Sequence, residues 1–266
     1  MVENGKFMNR RLFLSKTAVF LFGSLFGVNT FSKALAFKGK DARHFFQPRI
    51  SLIIDDIGLN PSRARQFLAQ GIPITFSILP WLSNSHELAL EIHRQGHEIM
   101  LHQPMEPFDS HINPGPGALY VGDSADRISG VMEKNMSNFP FFIGVNNHMG
   151  SKFTERQDEM KEVLKVVKKR GLFFVDSLTT NHSVAYKTAK KFHIFAASRN
   201  IFLDNRRDES AILSQLEKLK RHAIRHGRAI GIGHPFPETA NAIKQFVKGL
   251  RNPGSCLVHI SKIIHT

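Results

Sequence analysis

The sequence predicts an α/β protein: a distorted parallel (β/α) barrel of seven or eight strands, built as one domain over residues 49–266. Three observations predict it. Short apolar runs rich in Ile, Val and Phe recur from Arg49 onward, the composition of parallel strands covered on both faces. Amphipathic stretches of helical period separate almost every pair of runs, which is the alternation of βα units. Polar residues cluster just past the C-terminal ends of the runs, the face where α/β barrels gather catalytic groups. An open doubly wound sheet shares the alternation and is the competing architecture.

The elements follow in order. Ile50–Ile54 is the first strand, and Pro61, whose fixed φ suits a first helical turn, opens a helix over Pro61–Gln70. Ile74–Ile78 and a helix over Ser83–Gln95 come next, then the strand Glu98–Leu101. Residues 103–123 lack periodicity, contain Asn113-Pro114-Gly115-Pro116-Gly117, and read as a long binding loop or lid. The pattern resumes with a helix over Ser124–Asn138, the strand Phe141–Val145 and a helix over Glu155–Arg170. The strand Phe173–Val175, a helix over Ser183–Lys191 and the strand pieces Ile194–Ala196 and Ile201–Leu203 follow. A helix over Glu209–His226, the strand Ala229–Ile232, a helix over Glu238–Leu250 and a last strand at Leu257–Ile260 complete the body. Helices run into Gly71, Gly96, Gly171 and Gly227, the residue that caps a helix in the left-handed conformation.

Lys and Arg number 36 against 22 Asp and Glu, a formal net charge of +14. An excess of this size suggests an anionic partner. Part of it belongs to the first 36 residues, where Lys6, Arg10, Arg11, Lys16 and Lys33 face only Glu3. There the pair Arg10-Arg11 and Phe13-Leu14 precede an apolar stretch, Thr17–Phe31, and the small-residue site Ala34-Leu35-Ala36. This is the pattern of an export signal of the twin-arginine type, with residues 37–48 a short linker behind it. Removing the signal's net +4 leaves +10. A periplasmic chain with that charge meets anionic envelope polymers and lipid surfaces rather than nucleic acid, for which no recognition motif is present. The one cysteine, Cys256, excludes an intramolecular disulfide and a thiolate metal site. Any metal must therefore rest on Asp, Glu or some of the 14 His.

Six polar clusters follow strands: Asp55-Asp56, His102, Asn146-Asn147-His148, Asp176, Asp204-Asn205 and Gly233-His234-Pro235. Two adjacent carboxylates at a strand end repel each other, and a cation beside them removes that cost. Asp56, His102 and His148 together make a set of two His and one carboxylate, which suits zinc or another divalent transition metal with open positions. Glu106, four residues after His102, is an alternative ligand. Asp55 is left to move a proton, and His234, which follows Gly231 and Gly233, to protonate a leaving group. Asp176 and Asp204 either orient that His and the ligands or serve as turn and cap acids.

Read as a series, Ile53-Ile54-Asp55-Asp56-Ile57-Gly58, Thr75-Phe76-Ser77-Ile78-Leu79-Pro80, the run from Gly96 to Pro107, Asn113-Pro114-Gly115-Pro116-Gly117, Gly144 to Ser151, Phe174-Val175-Asp176-Ser177 and Gly233-His234-Pro235 resemble the divergent polysaccharide deacetylase family, relatives of the NodB-like carbohydrate esterases. The resemblance implies a NodB-like barrel with a divalent metal, most readily zinc, at its mouth, and hydrolysis of an N-acetyl group on an envelope polysaccharide. It implies Asp55 as base, Asp56 as ligand and His234 as acid. The sequence departs from the wider group in three places, the first being Asp55-Asp56-Ile57-Gly58 where Asp-Asp-Gly is usual. Glu106 stands where a second His is usual, so that His148 is the candidate replacement. No Arg-x-Pro-Tyr segment is present, which leaves Asn146, Asn147 or backbone amides to stabilise an oxyanion. Two other functions fit the same residues: a glycan-binding protein without catalysis, and a metal hydrolase of a peptide amide or phosphate ester.

Overall fold

The computed structural model describes residues 48–250 and 256–264. The export signal and residues 37–47 of the linker lie outside the described residues. Elements run in the order β1 (Arg49–Ile57), α1 (Pro61–Leu68), β2 (Thr75–Ile78), α2 (Ser85–Arg94), β3 (Glu98–Met105), α3 (Ala125–Ser137) and β4 (Phe142–Met149). There follow α4 (Gln157–Lys169), β5 (Phe173–Asp176), α5 (Ala185–Lys191), β6 (Ala196–Ser198), β7 (Ile201–Phe202), α6 (Glu209–His226), β8 (Arg228–Gly233), α7 (Pro237–Lys248) and α8 (Ser261–Ile264). Side-chain caps hold the helix starts at Asn60, Ser124 and Asp208, each accepting from a backbone N–H of the first turn. Gly227, at φ +85°, ends α6 in the left-handed conformation.

Eight parallel strands form one sheet in the order β6-β5-β4-β3-β2-β1-β8-β7, curled into a half-barrel. Sequence continuity forces the curl. The two edge strands, β6 and β7, are separated by Arg199 and Asn200 alone. Laid flat, seven interstrand spacings of about 4.8 Å would put the edges roughly 34 Å apart. Three peptide steps reach at most about 11 Å. The chain therefore steps directly from β5 to β8: Arg199 N–H donates to Asp176 O, and Asn200 N–H donates to Ile230 O. The open-sheet alternative fails on this connection.

Side chains alternate along each strand. Ile50, Leu52 and Ile54 of β1 face the helices, in one cluster with Phe67, Leu88 and Ile243. Ile53 faces inward with Met100, Phe173, Val175, Ile230 and Ile232. The strand predicted at Leu257–Ile260 is instead a stopper: Leu257 makes one bridge to Ile50, and Ile260, Ile263 and Ile264 join the inner cluster. Groups on the first residues of four strands hold it. Thr75 Oγ1 accepts from Ile260 N–H (3.1 Å) and Glu98 from Ser261 N–H (3.1 Å). Arg49 and Arg228 each donate to carbonyls of α8, at Lys262 and Ile263 (both 2.9 Å). The apolar content of Leu257–Ile260 resembles that of a strand, but the barrel's interior supplies the burial here. With the bottom closed, only the C-terminal ends of the strands are left to form a mouth.

The long loop after β3 is tethered rather than loose. Leu119 pairs with the end of β3 through Glu106 N–H and Pro104 O, and Gln103 donates to Gly117 O (2.9 Å).

Because Ile260 fills the barrel's base at full burial, Ile260→Ala leaves a cavity there and is expected to cost about 2–5 kcal/mol. Denaturant unfolding checks this; a change within about 0.5 kcal/mol, ordinary for a surface site, contradicts the stopper.

Candidate metal centre

The site begins with an irregularity in β1. Pairing with β2 shifts between Ile54 and Ile57, and Asp56 sits at φ +57°. In a regular strand two successive side chains point to opposite faces. The bulge breaks that rule and lets Asp55 and Asp56 both serve the mouth. A left-handed conformation costs a non-glycine residue of order 1–3 kcal/mol, though Asp tolerates it better than most, and such outliers concentrate at functional sites. The strand thus continues through the two aspartates instead of ending before them. β3 and β4 likewise run on through His102 and His148, so these ligands are held on strands and not on loops.

Three atoms converge. Asp56 Oδ1 lies 3.2 Å from His102 Nε2 and 2.9 Å from His148 Nδ1, and the two ring nitrogens are 3.1 Å apart. Asn146, paired with His102 across β3 and β4, fixes the chemistry of the set. Its Oδ1 accepts from His102 Nδ1–H (2.8 Å), and its Nδ2 donates to Asp55 Oδ1 (2.9 Å) and Ser177 Oγ (3.2 Å). With the proton on Nδ1, His102 turns its Nε2 lone pair toward Asp56. Asp56 Oδ1 is buried without a hydrogen-bond partner. Bare lone pairs at these separations repel, so the set requires a proton or a cation. Four-coordinate zinc, about 2.0–2.1 Å from each ligand, sets ligand–ligand edges of about 3.3–3.4 Å. The observed edges are slightly shorter, and the donor set of two nitrogens and one oxygen fits a divalent transition metal. His102 is 2% exposed and Asp56 24%, so the cluster meets solvent on the Asp56 side.

The charges agree. Burial alone would raise the Asp56 carboxyl, but the adjoining imidazoles of His102 and His148 hold it well below the carboxylate range. Burial opposes the charged form of His102, yet the charges of Asp55 and Asp56 raise it above its ordinary value.

His234 follows β8, which pairs with β1 on the side away from β2, and its Nε2 is 3.8 Å from Asp56 Oδ2. Asp204 orients it, accepting from His234 N–H (2.6 Å) and bonding ring Nδ1 (3.0 Å), while Thr239 Oγ1 donates to the same carboxylate (2.8 Å). Burial lowers His234, but Asp204 and then Asp56 overcome this and raise it to about 9. Phe202 and Phe236 flank its ring, with centroids 5.3 and 5.7 Å away.

Other predicted residues stand apart. Glu106 does not join the cluster of Asp56, His102 and His148; Lys152 Nζ (2.6 Å) and Val121 N–H (2.7 Å) occupy its carboxylate. Asn147 ties β4 to β5, accepting from Ser177 N–H (2.9 Å). Asp176 is a turn acid, taken by Leu178 N–H, Ser183 Oγ and Tyr186 N–H. The sequence motifs assign no role to Ser177, the third partner of Asn146, or to Arg199. Arg199 Nε and Nη2 donate to Ser177 O (2.6 Å) and Leu178 O (2.7 Å); burial lowers its pKa, against the supporting charges of Asp176 and Asp55. Position immediately after Asp176 marks Ser177 in retrospect; nothing in the sequence marks Arg199.

A metal ligand must give up its proton, so a cation displaces one from His102. Cation affinity is therefore expected to fall as pH drops through the raised His102 value, with proton release in titration calorimetry. Asn146→Ala, which removes the partner of His102, should weaken affinity about 10–100-fold. Uptake independent of pH, or unaffected by Asn146→Ala, contradicts this geometry.

Comparison with known proteins places the chain. Residues 52–264 match the model of the family described as divergent polysaccharide deacetylase. The chain is 32% identical over 217 residues to the uncharacterized protein YibQ of Escherichia coli K12, covering 82% of this chain and 67% of that one. The uncharacterized protein ATU2773 of Agrobacterium tumefaciens C58 superposes with a TM-score of 0.78 at 28% identity, over 82% of this chain and 89% of its own. The catalytic domain of a peptidoglycan N-acetylglucosamine deacetylase from Eubacterium rectale shares the fold, with a TM-score of 0.51 at 13% identity over 80% and 88% of the two chains. A match across nearly the whole described barrel, with the relative from Escherichia coli, establishes that the chain belongs to the divergent polysaccharide deacetylase family.

Proposed function

We infer that the protein removes N-acetyl groups from a polysaccharide of the cell envelope, using a divalent metal, most readily zinc, held by Asp56, His102 and His148. The observation that carries this reading is the buried, unpartnered Asp56 Oδ1 between two ring nitrogens, beside a second carboxylate that is not a ligand. When bound, such a metal polarises a carbonyl oxygen and lowers the pKa of water. Asp55, 3.7 Å from His102 Nε2 and steadied by Asn146, takes the proton of the attacking water as its oxygen bonds to the acetyl carbon. His234, kept protonated by Asp204, gives its proton to the nitrogen as the C–N bond breaks, leaving acetate and the free sugar amine. Arg199, held by backbone carbonyls near Asp55, keeps a positive charge beside the base. The charged N-terminus, its apolar stretch and Ala34-Leu35-Ala36 support export to the periplasm, and the residual +10 supports attraction to anionic envelope surfaces.

The missing Arg-x-Pro-Tyr segment favours a second reading, a glycan-binding protein that kept the fold and the metal. Acetate release separates the two. Asp55→Asn should cut acetate release from N-acetylglucosamine oligomers at least about 100-fold while cation uptake stays intact. Wild-type activity in that variant removes the base role; no release by the wild type on any N-acetylated glycan removes the hydrolytic reading. Asp204→Asn tests the acid. His234 acts only while protonated, and Asp204 raises its pKa, so the variant should move the alkaline limb of the pH–rate profile downward. An unmoved limb contradicts the assignment.

A further inference from the structure

The mouth is asymmetric. Among the described residues nine large apolar side chains are exposed, and five of them, Leu59, Trp81, Phe108, Ile112 and Tyr120, follow β1, β2 or β3. Of these, β1 carries Asp55 and Asp56 and β3 carries His102, with β2 between them in the sheet. Exposed apolar groups gathered on one arc mark a contact surface.

Trp81 stands out within it. Its φ is +64°, a conformation that bulky side chains rarely adopt. Two hydrogen bonds hold it there: its N–H donates to Asn138 Oδ1 (2.9 Å) and its Nε1–H to Asn135 Oδ1 (2.6 Å). Asn135 is itself locked, since its Nδ2 donates to Gln103 Oε1 and Gly117 O (both 2.8 Å). Gln103 is the residue after His102. On the other side, Leu82 packs against Gly58 and Asn84 Nδ2 donates to Gly58 O (3.3 Å), two residues past Asp56. The framework that positions the metal ligands thus also fixes the indole. Yet Trp81 is 46% exposed, so neither the strain nor the hydrogen bonds serve to bury it. A rigid aromatic face open to solvent binds at low entropic cost, because nothing further needs to be ordered. Its complement is a flat, partly apolar ligand with polar edges, which describes the C–H face of a pyranose ring.

We propose that Trp81 is the stacking platform of a glycan subsite, on which one ring of an N-acetylated oligosaccharide lies while another ring of the same chain occupies the metal centre. The proposal rests on the reading of the mouth as a glycan site but not on hydrolysis. Trp81 is the sole tryptophan of the chain, so intrinsic emission reports this position alone. The test titrates Asp55→Asn protein with the hexamer of N-acetylglucosamine, following emission and heat together. A saturating emission change that tracks the calorimetric isotherm is expected. Trp81→Ala should weaken calorimetric binding about tenfold, and Trp81→Phe, which keeps a ring, should recover most of it. If Trp81→Ala disturbs folding, the emission of the intact indole decides. Binding without an emission change, equal affinity in Trp81→Ala, or no heat of binding at all overturns the subsite. Failure of the wild type to release acetate counts against hydrolysis and leaves these outcomes unaffected.

Discussion

Two ring nitrogens and a carboxylate oxygen, all within about 3 Å of one another at the top of a barrel, cannot stay there as bare lone pairs. Much of the upper half of the molecule follows from that constraint. The bulge in β1 brings Asp56 to the set, the extension of β4 brings His148, and Asn146 dictates which nitrogen of His102 is free. One amide thereby joins His102 to Asp55: Asn146 accepts from the first and donates to the second. Asp55 is thus oriented by the same residue that sets the free nitrogen of His102.

The lower half exists to leave that mouth free. The stopper at residues 257–264 fills the base, and its polar ends are satisfied by Thr75, Glu98, Arg49 and Arg228 at the strand starts. Closure at the other side comes from the two-residue step between β6 and β7, which carries the chain from β5 to β8 without a helix. His234 and Asp204 lie just past β8 and β7, which pair with each other on one side of that closure. Because β8 also pairs with β1, His234 sits beside Asp56.

Most of the fold was legible because parallel strands buried on both faces are continuous apolar runs, and amphipathic helices with clear caps separate them. The strand ends were not legible. Periodicity stops at a polar residue, yet β1, β3 and β4 run on through Asp56, His102 and His148, because pairing is decided by backbone partners and not by side-chain polarity. Leu257–Ile260 misled for the opposite reason: its apolar content matches a strand, and only the tertiary context shows that the barrel interior buries it. At the site, residue types at strand ends sufficed to gather Asp55, Asp56, His102, His148 and His234. Spacing alone could not choose between His148 and Glu106, because the choice depends on Lys152 and Val121 occupying the latter. Trp81 and Arg199 left no trace in the sequence, since a positive φ and a guanidinium held by carbonyls are properties of the folded chain.

Anomalous scattering from crystals grown with zinc tests whether Asp56, His102 and His148 hold a metal. One strong peak is expected about 2.0–2.1 Å from Asp56 Oδ1, His102 Nε2 and His148 Nδ1. A peak bounded by His102 and Glu106, or no peak at the barrel mouth, would contradict it.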